Sequence, residues 1–208
     1  MLFFLWQRRG KTFLFSFIQS FSLSFMCNPK NPQGETLKSP HTRESDISEN
    51  QQFAIESAYV AGFLDGDGSI IAQIVPKEDY VLKFQIRLSI SFIQKTKRKH
   101  FLHLINKKLG ENGTLRERND TLSELNIVGK EKVREVLERL QPYLTIKRKQ
   151  CNLVLKIIEQ FHLTKGPREE FVKLCDLVDQ VAELNDSKNR KTTANVVRQR
   201  FQDLNETS

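Results

Sequence analysis

The sequence contains few cysteines and no pattern that would make them a functional group. Only three occur among its 208 residues, namely Cys27, Cys151 and Cys175. They are far apart and odd in number, so they form neither the paired spacing of a zinc site nor a disulfide framework. Cys151 and Cys175 lie in stretches with apolar periodicity, which predicts core positions. This usage excludes a disulfide-stapled secreted module and fits a reducing compartment.

Acidic residues are missing from the N-terminal part, where the first one is Glu35. Residues 1–25 instead hold seven of the fifteen phenylalanines and the only tryptophan. The longest apolar run, residues 13–26, is too short and too polar for a membrane span, which needs about 20 residues. Acid-poor, Ser-rich, Arg-bearing segments are typical of organelle transit peptides. Alternatively, the N-terminal segment is an upstream extension that is translated from noncoding-type sequence and has no fold.

The composition changes along the chain and predicts two parts. Residues 27–52 are rich in Pro, Ser, Asn and Glu, which is typical of a disordered linker. We therefore predict a disordered or targeting-like extension at residues 1–52 and a globular domain at 53–208. The net charge is +8 for the whole chain and +6 for residues 53–208. Because the domain itself is basic, an anionic partner such as nucleic acid is favoured.

Apolar periodicity predicts an α+β fold for this domain. The clearest strand lies near residues 83–92, where Phe84, Ile86, Leu88, Ile90 and Phe92 alternate with polar residues without a break. The polar side is either a solvated outer surface or a binding surface. The predicted order is helix 53–65, strands 69–75 and 83–92, helix 96–109, strands 114–119 and 122–128, and helices 130–140, 147–163 and 167–184.

The first helix ends in Asp65-Gly66-Asp67-Gly68, the most informative segment of the chain. A helix C-terminus carries partial negative charge, so acids there are unfavourable by about 0.3–1 kcal/mol each. A cation beside them would compensate, and the segment therefore predicts a metal site. The alternative is that these Asp and Gly residues serve only to form a tight turn. A calcium-binding EF-hand is excluded, because its register would put Phe63 and Ile74 at ligand positions and a strand where a helix must follow.

Small residues at Ala58, Gly62 and Gly66 share one side of this helix. Each glycine costs about 1 kcal/mol relative to alanine, which is offset only where another backbone approaches closely. The approaching backbone belongs either to the same chain or to a second copy across a two-fold axis. The sequence has no internal repeat and thus a single acidic helix end.

Together these residues resemble a known family. The segment 60–68 resembles the signature of the LAGLIDADG homing endonucleases, and further similar segments follow in order at residues 69–74, 94–96, 152–158, 184–188 and 190–193. The similarity covers about residues 54–200 and is strongest to the single-motif subfamily of algal chloroplast introns. It implies an αββαββα fold with an antiparallel DNA-binding sheet. It also implies a homodimer whose motif helices meet at the two-fold, with Ala58 and Gly62 at the interface.

The resemblance implies an enzyme that makes a site-specific double-strand break in a long, pseudo-palindromic DNA site and so promotes mobility of its host intron. Asp67 and the carbonyl of Gly66 match the metal ligands, for Mg²⁺ (or Mn²⁺), whereas Asp65 matches a more structural position. Gln94 matches a residue that positions the nucleophilic water. Arg98 and Lys147 match basic residues that stabilise charge on the phosphate.

The resemblance also implies which residues contact DNA. Two-stranded ribbons fit the major groove, and two copies of a strand of about 8 residues would cover about 16–20 base pairs. Four of the positions (75, 77, 87 and 91) depart from the family pattern, which predicts a different target sequence. The implied DNA-binding residues are Gln73, Val75, Lys77, Tyr80, Gln85, Arg87, Ser89, Ser91, Arg116, Arg118, Glu124, Lys188, Lys191 and Thr192.

Two other functions stay open on the same residues. Some members of the family act as RNA-binding intron maturases, and a DNA-binding regulator without catalytic activity is a third possibility. The resemblance and the N-terminal composition point to an organelle, with the chloroplast first and the mitochondrion second. No membrane partner is expected.

Overall fold

A computed structural model describes residues 7–8, 11–12, 48–185 and 190–206. The chain divides into two compact units, 1–44 and 45–208. In the first unit, strands β1 (Gln7–Arg8) and β2 (Lys11–Thr12) pair antiparallel. The rest of the predicted transit segment and the predicted linker up to residue 47 lie outside the described residues, whereas residues 49–52 are helical and not a disordered linker. Among the helices that the structure describes, none is long and apolar enough to cross a membrane.

The larger unit has the predicted order of helix, two strands, helix, two strands and helix, with further helices appended. The α+β prediction is therefore confirmed. Its elements are α1 (Glu49–Asp67), β3 (Gly68–Pro76), β4 (Phe84–Lys95), α2 (Lys99–Lys108), β5 (Thr114–Asn119), β6 (Leu122–Val128), α3 (Lys130–Leu140), α4 (Arg148–Glu159), α5 (Arg168–Leu184) and α6 (Ala194–Glu206).

The four longer strands form one antiparallel sheet in the order β3-β4-β6-β5. The alternation read from the sequence decides which side of strand β4 is buried. Its apolar residues Phe84, Ile86, Leu88, Ile90 and Phe92 are each at most 6% exposed. Helices α1, α2, α3, α4 and α5 contact the sheet. The other side carries the polar residues, and we call it the polar face.

Both ends of α1 are set by local chemistry. The Ser48 hydroxyl accepts from the Gln51 amide, and the Gln51 side chain accepts from the Ser48 amide, which is a capping box. The helix therefore begins four residues before the predicted start. At the other end, a Cβ on Gly68 would lie 2.5 Å from a side-chain carbon of Leu64 and 2.9 Å from its Cα. Only glycine fits this turn from helix into strand.

Other element boundaries differ modestly from the prediction. The helix predicted at 96–109 begins as a 3-10 turn at Thr96–Arg98. The helix predicted at 147–163 ends at Glu159, and a 3-10 turn follows at Phe161–Lys165. Apolar residues of that turn still pack on the core, so the periodicity continues past the end of the helix. The sequence pattern predicts no separate helix over the residues of α6, although its buried residues recur at helical spacing.

The two described cysteines are core residues, as predicted. Cys151 and Cys175 are fully buried and free. Burial raises the pKa of both thiols to about 12. Neither thiol therefore carries thiolate character at neutral pH.

Candidate metal and nucleic-acid site

The carboxylate of Asp65 joins the end of α1 to the start of α4. Its two oxygens accept hydrogen bonds from the amides of Thr145 (2.7 Å), Ile146 (3.1 Å) and Lys147 (2.8 Å). These amides immediately precede α4, whose N-terminus favours negative charge. The negative charge of Asp65 is thus unfavourable at the C-terminus of α1, and the N-terminus of α4 compensates for it. Asp65 has the structural role that the resemblance implied.

The same contacts determine the ionisation of Asp65. Partial burial is the largest single influence and raises the pKa of its carboxyl. Hydrogen bonds from the three amides, together with the charge of Lys147, lower that pKa, and the net result is a pKa below the ordinary value. The Lys147 ammonium also donates to the backbone carbonyl of Asp65 at 2.5 Å. Asp65 and Lys147 are therefore linked twice.

Asp67 lies two residues further, at the exposed end of α1. Its Oδ2 accepts a hydrogen bond from Gln94 Nε2 at 2.9 Å. Gln94 comes from the far end of β4, 27 residues along the chain. Folding thus brings together two residues that the sequence assigned to one site. Within the described residues, no group of three His, Cys, Asp or Glu side chains could hold a metal ion.

The other two predicted catalytic residues differ in how the structure holds them. Lys147 is the N-cap residue of α4 and is tied to Asp65, as described above. Arg98 is exposed at the end of the 3-10 turn that leads into α2. Among the described residues, no hydrogen bond or ion pair fixes its guanidinium. The structure thus links Lys147 and Gln94 to the acidic helix end, and none of the contacts among the described residues links Arg98 to it.

One side of α1 is open. Ile55 and Tyr59 are 54% and 52% exposed on this side. A Cβ added to Gly62 or Gly66 would meet no atom within 4 Å, and Ala58 is exposed as well. The close approach that would explain the glycines is therefore not supplied by the described part of the same chain.

The strand register aligns the predicted DNA-binding residues on the polar face. Gln73 of β3 lies opposite Arg87 of β4, and Val75 lies opposite Gln85. Gln73 and Arg87 are exposed, while Val75 and Gln85 are half-buried. The two strands therefore bring Gln73, Gln85 and Arg87 together on the polar face, with the apolar Val75 opposite Gln85.

Three predicted DNA-binding residues are much less accessible than the alternation suggested. Ser89 and Ser91 are 8% and 4% exposed, because they are short and lie on a central strand between two neighbours. Glu124 is 5% exposed. Its Oε2 accepts from Arg116 Nε at 2.8 Å and lies 3.8 Å from Arg118 Nε. The DNA contacts of these residues stay predictions.

The remaining predicted contacts lie at the margins of the sheet. In the loop between β3 and β4, Lys77 pairs with Asp79 at 3.0 Å and lies 6.0 Å from the ring centroid of the exposed Tyr80. Asp179 accepts from Arg190 at 2.6 Å and from the amide of Ala194 at 3.0 Å. It thereby holds the segment that presents Lys191 and Thr192. Lys188 lies outside the described residues.

Comparison with known proteins identifies the family. A sequence profile described as LAGLIDADG endonuclease matches residues 60–160. DNA endonuclease I-CreI of Chlamydomonas reinhardtii is 44% identical over 157 residues, which cover 76% of this chain and 93% of that protein. The chain belongs to the LAGLIDADG endonuclease family. DNA endonuclease I-CvuI of Chlorella vulgaris is also 44% identical, over 145 residues that cover 70% of this chain and 89% of that protein.

Solved structures of LAGLIDADG endonucleases have the same fold. A crystal structure of I-CvuI in complex with the I-CreI target matches with a TM-score of 0.70 and 42% identity, over 74% of this chain and 97% of that chain. An archaeal intron-encoded homing endonuclease, I-Vdi141I complexed with DNA, matches with a TM-score of 0.60 and 19% identity, over 69% of this chain and 92% of that chain. The predicted fold and family are confirmed.

Sequence reasoning missed one residue on the polar face of this LAGLIDADG chain. Asn126 lies on β6, opposite Ser91 of β4 and Thr114 of β5. It is two positions from Glu124 and therefore points to the same side of the strand. That spacing alone would have placed it beside the predicted contacts.

Proposed function

We propose that this chain is a homodimeric, metal-dependent homing endonuclease that makes a site-specific double-strand break in a long, pseudo-palindromic DNA site. The break would promote mobility of its host intron. The observation that carries the proposal is the Asp67 carboxylate, exposed at the end of the family's motif helix and joined to Gln94. A relative that is 44% identical and named a DNA endonuclease supports it.

The donors at the end of α1 fit a hard divalent cation. The carboxylate of Asp67 and the carbonyl of Gly66 are oxygen ligands of the type that Mg²⁺ prefers. The Gln94 amide donates a hydrogen bond to one oxygen of the Asp67 carboxylate and thereby orients that carboxylate. One chain supplies too few ligands among its described residues, so phosphate oxygens and the second copy would have to complete the site. We propose Mg²⁺ (or Mn²⁺) as the ion.

A divalent ion held there would polarise the scissile phosphate and lower the pKa of a bound water. The protein's own residues would do the rest. The amide of Gln94 would orient the attacking water beside Asp67. The ammonium of Lys147, already at the end of α1 through its contact with Asp65, would stabilise the charge that develops on the phosphate. Arg98 would do the same once DNA orders its guanidinium.

The open side of α1 supports a homodimer. Cutting two strands takes two sets of catalytic residues, and each chain supplies one. Gly62 and Gly66 leave room for a second backbone, while Ile55 and Tyr59 offer exposed apolar area around them. We propose that the α1 helices of two copies pack along the stripe that contains Ala58 and Gly62. The two Asp67 residues would then lie on either side of the two-fold axis.

The polar face of each copy would bind one half of the DNA site. Gln73, Gln85 and Arg87 would read base edges in the major groove, since amides pair with adenine and guanidinium pairs with guanine. Lys188, Lys191 and Thr192 would contact the phosphate backbone. The combined length is about 16–20 base pairs. The other proposed DNA contacts are Val75, Lys77, Tyr80, Ser89, Ser91, Arg116, Arg118 and Glu124.

We also propose an organelle, the chloroplast first, as the place of action. Relatives from two green algae and the acid-poor N-terminal segment support this assignment. The two-part organisation stays a proposal as well. The boundary would precede Ser48 rather than follow residue 52, because Ser48 caps α1 and a cut at residue 52 would fall inside the helix.

The proposal is tested by selecting cleavage sites from a randomised pool of double-stranded DNA with Mg²⁺ and the purified protein. We expect recovered products cut on both strands at one long, nearly symmetric site. Omitting the divalent ion should abolish cutting. A folded dimer that cuts no member of the pool at any salt concentration would overturn the proposal.

A further inference from the structure

An aspartate lies beside residues that are proposed to contact the DNA backbone. Asp179 of α5 is half-buried, and both of its oxygens contact the chain around Lys191 and Thr192. Its Oδ1 accepts from Arg190 Nη1 at 2.6 Å, and its Oδ2 accepts from the amide of Ala194 at 3.0 Å. The charge of an acid repels the phosphates of DNA. Asp179 therefore assists DNA binding only if what it holds in place outweighs this repulsion.

The two contacts of Asp179 fix both ends of the segment 190–193. Arg190 begins this segment, and Ala194 follows it as the first residue of α6. The side chains of Arg190 and Asp179 are only 25% and 20% exposed, so water screens their ion pair little. No helix or strand includes residues 190–193. The position of this segment therefore depends on the side-chain contacts at its two ends.

The ion pair also decides which cation of the segment is available to DNA. By sequence, Arg190 and Lys191 are equally good candidates for a phosphate contact. The guanidinium of Arg190 is paired with Asp179, whereas Lys191 is exposed. Arg190 thus serves to attach the segment to α5, and Lys191 is the residue that the segment presents to solvent.

The segment shares a cleft with the proposed catalytic and base-contacting residues. The cleft has a volume of about 810 Å³, and its walls include Gln73 of β3, Lys147 at the start of α4, and Lys191. A shift of the segment would therefore change where a phosphate held by Lys191 lies relative to Lys147. Misplacement of a reacting group by about 1 Å can cost about 100-fold in rate.

We propose that Asp179 is a positioning residue for DNA binding, which places Lys191 against the phosphate backbone by holding Arg190 and the start of α6. This inference rests on the proposed endonuclease function. It predicts the opposite of what charge alone predicts for an acid near DNA. Removing the charge of Asp179 should weaken DNA binding, because the loss of the Lys191 contact outweighs the loss of repulsion.

The test measures the affinity of Asp179→Asn for double-stranded DNA that carries the selected site, at several salt concentrations and without a divalent ion. The exchange keeps the shape of the side chain and removes the charge that pairs with Arg190. We expect weaker binding and a slope of log K against log salt that is shallower by about 0.9, the value for one lost phosphate contact. Lys191→Met should give the same change. The double variant should lose no more than either single variant, because both exchanges remove one contact.

Asp176→Asn is the matched control. It makes the same exchange three residues earlier on α5 and breaks an ion pair with Arg198 of α6, at 2.5 Å. Both variants thus loosen the attachment of the C-terminal residues to α5, but only Asp179 contacts both ends of the segment 190–193. Asp176→Asn should keep the affinity and the salt slope of wild type.

Unchanged or tighter binding by Asp179→Asn would overturn the inference. Additive losses in the double variant, or an equal loss in Asp176→Asn, would overturn it as well. If Asp179→Asn does not fold, Arg190→Gln tests the same ion pair from its other side. Combined with Lys191→Met, it should make the slope no shallower than Lys191→Met alone. A further change of about 0.9 would make Arg190 itself a phosphate contact and contradict the proposed role.

The same measurements separate this inference from the proposed function. A wild type that cuts the selected site, together with any of these contrary results, overturns the role of Asp179 alone. A wild type that is folded and binds no DNA overturns the proposed function and this inference with it.

Discussion

Asp65 and Lys147 hold each other at the junction of α1 and α4, although 82 residues separate them in the sequence. The carboxylate of Asp65 accepts the Lys147 amide at 2.8 Å, and the Lys147 ammonium donates to the Asp65 carbonyl at 2.5 Å. Because Asp67 follows two residues later, this junction also fixes where the proposed metal ligand lies. We regard Asp65 as the residue that positions Lys147.

Asp65→Asn should destabilise the fold and slow cleavage. The substituted amide turns a donor towards backbone amides that have no other hydrogen-bond partner among the described residues, which costs about 1–3 kcal/mol. Denaturant unfolding should report this loss of free energy. Single-turnover cleavage should fall more than DNA affinity does, because Lys147 loses its position. Unchanged stability and unchanged cleavage would show that the junction has no such role.

The stabilising role of Asp65 should also appear in the pH dependence of the unfolding free energy. The amides that face Asp65 hold its pKa below the ordinary value in the folded state, against the opposing effect of burial. Its stabilisation is therefore complete above the unfolded-state pKa of about 3.9 and is lost as the pH falls through the lower folded-state pKa. The difference in unfolding free energy between wild type and Asp65→Asn should shrink over that acid range. A difference that stays constant from neutral pH down into that range would contradict the assignment.

Gly62→Leu should break the proposed dimer and leave the chain folded. The side chain would enter open space in the described chain, and leucine favours a helix over glycine by about 1 kcal/mol. Light scattering should show a monomer at concentrations where wild type is a dimer, with loss of double-strand cleavage. Gly68→Ala is the contrasting variant, since its Cβ would lie 2.5 Å from Leu64 and should destabilise the fold itself. A Gly62→Leu protein that remains dimeric would place the interface elsewhere.

Glu124→Gln should strengthen binding to non-specific DNA. Glu124 pairs with Arg116 and lies near Arg118, so its charge competes with phosphate for both guanidinium groups. Freeing them should steepen the slope of log K against log salt by about 0.9 for each additional phosphate contact. Salt titrations of DNA binding would measure this. Glu117→Gln, which removes an exposed acid paired with Lys99, serves as the control, and equal slopes for both variants would refute the expectation.

The sequence predicted those parts of the fold that depend on local pattern. The alternation along β4 predicted its buried side, and the predicted end of the first helix at residue 65 lies two residues before the observed end at Asp67. The role of Asp65 could not be derived from local pattern, because its partners lie 80 to 82 residues away. The small exposure of Ser91 depends on its place between two neighbouring strands, which alternation alone does not reveal. The contact between Asp179 and Arg190 becomes visible only once residues 190–193 are placed beside α5.

The most direct test of the account is the cleavage of the selected DNA site by Asp67→Asn. The substitution keeps shape and removes the charge that a divalent ion needs, while Gln94 can still contact the retained oxygen. We predict that this variant folds, dimerises and binds the site with wild-type affinity, yet cuts neither strand in Mg²⁺ in single-turnover assays. Cleavage of both strands by Asp67→Asn at the wild-type rate would contradict the central claim that Asp67 holds the catalytic metal.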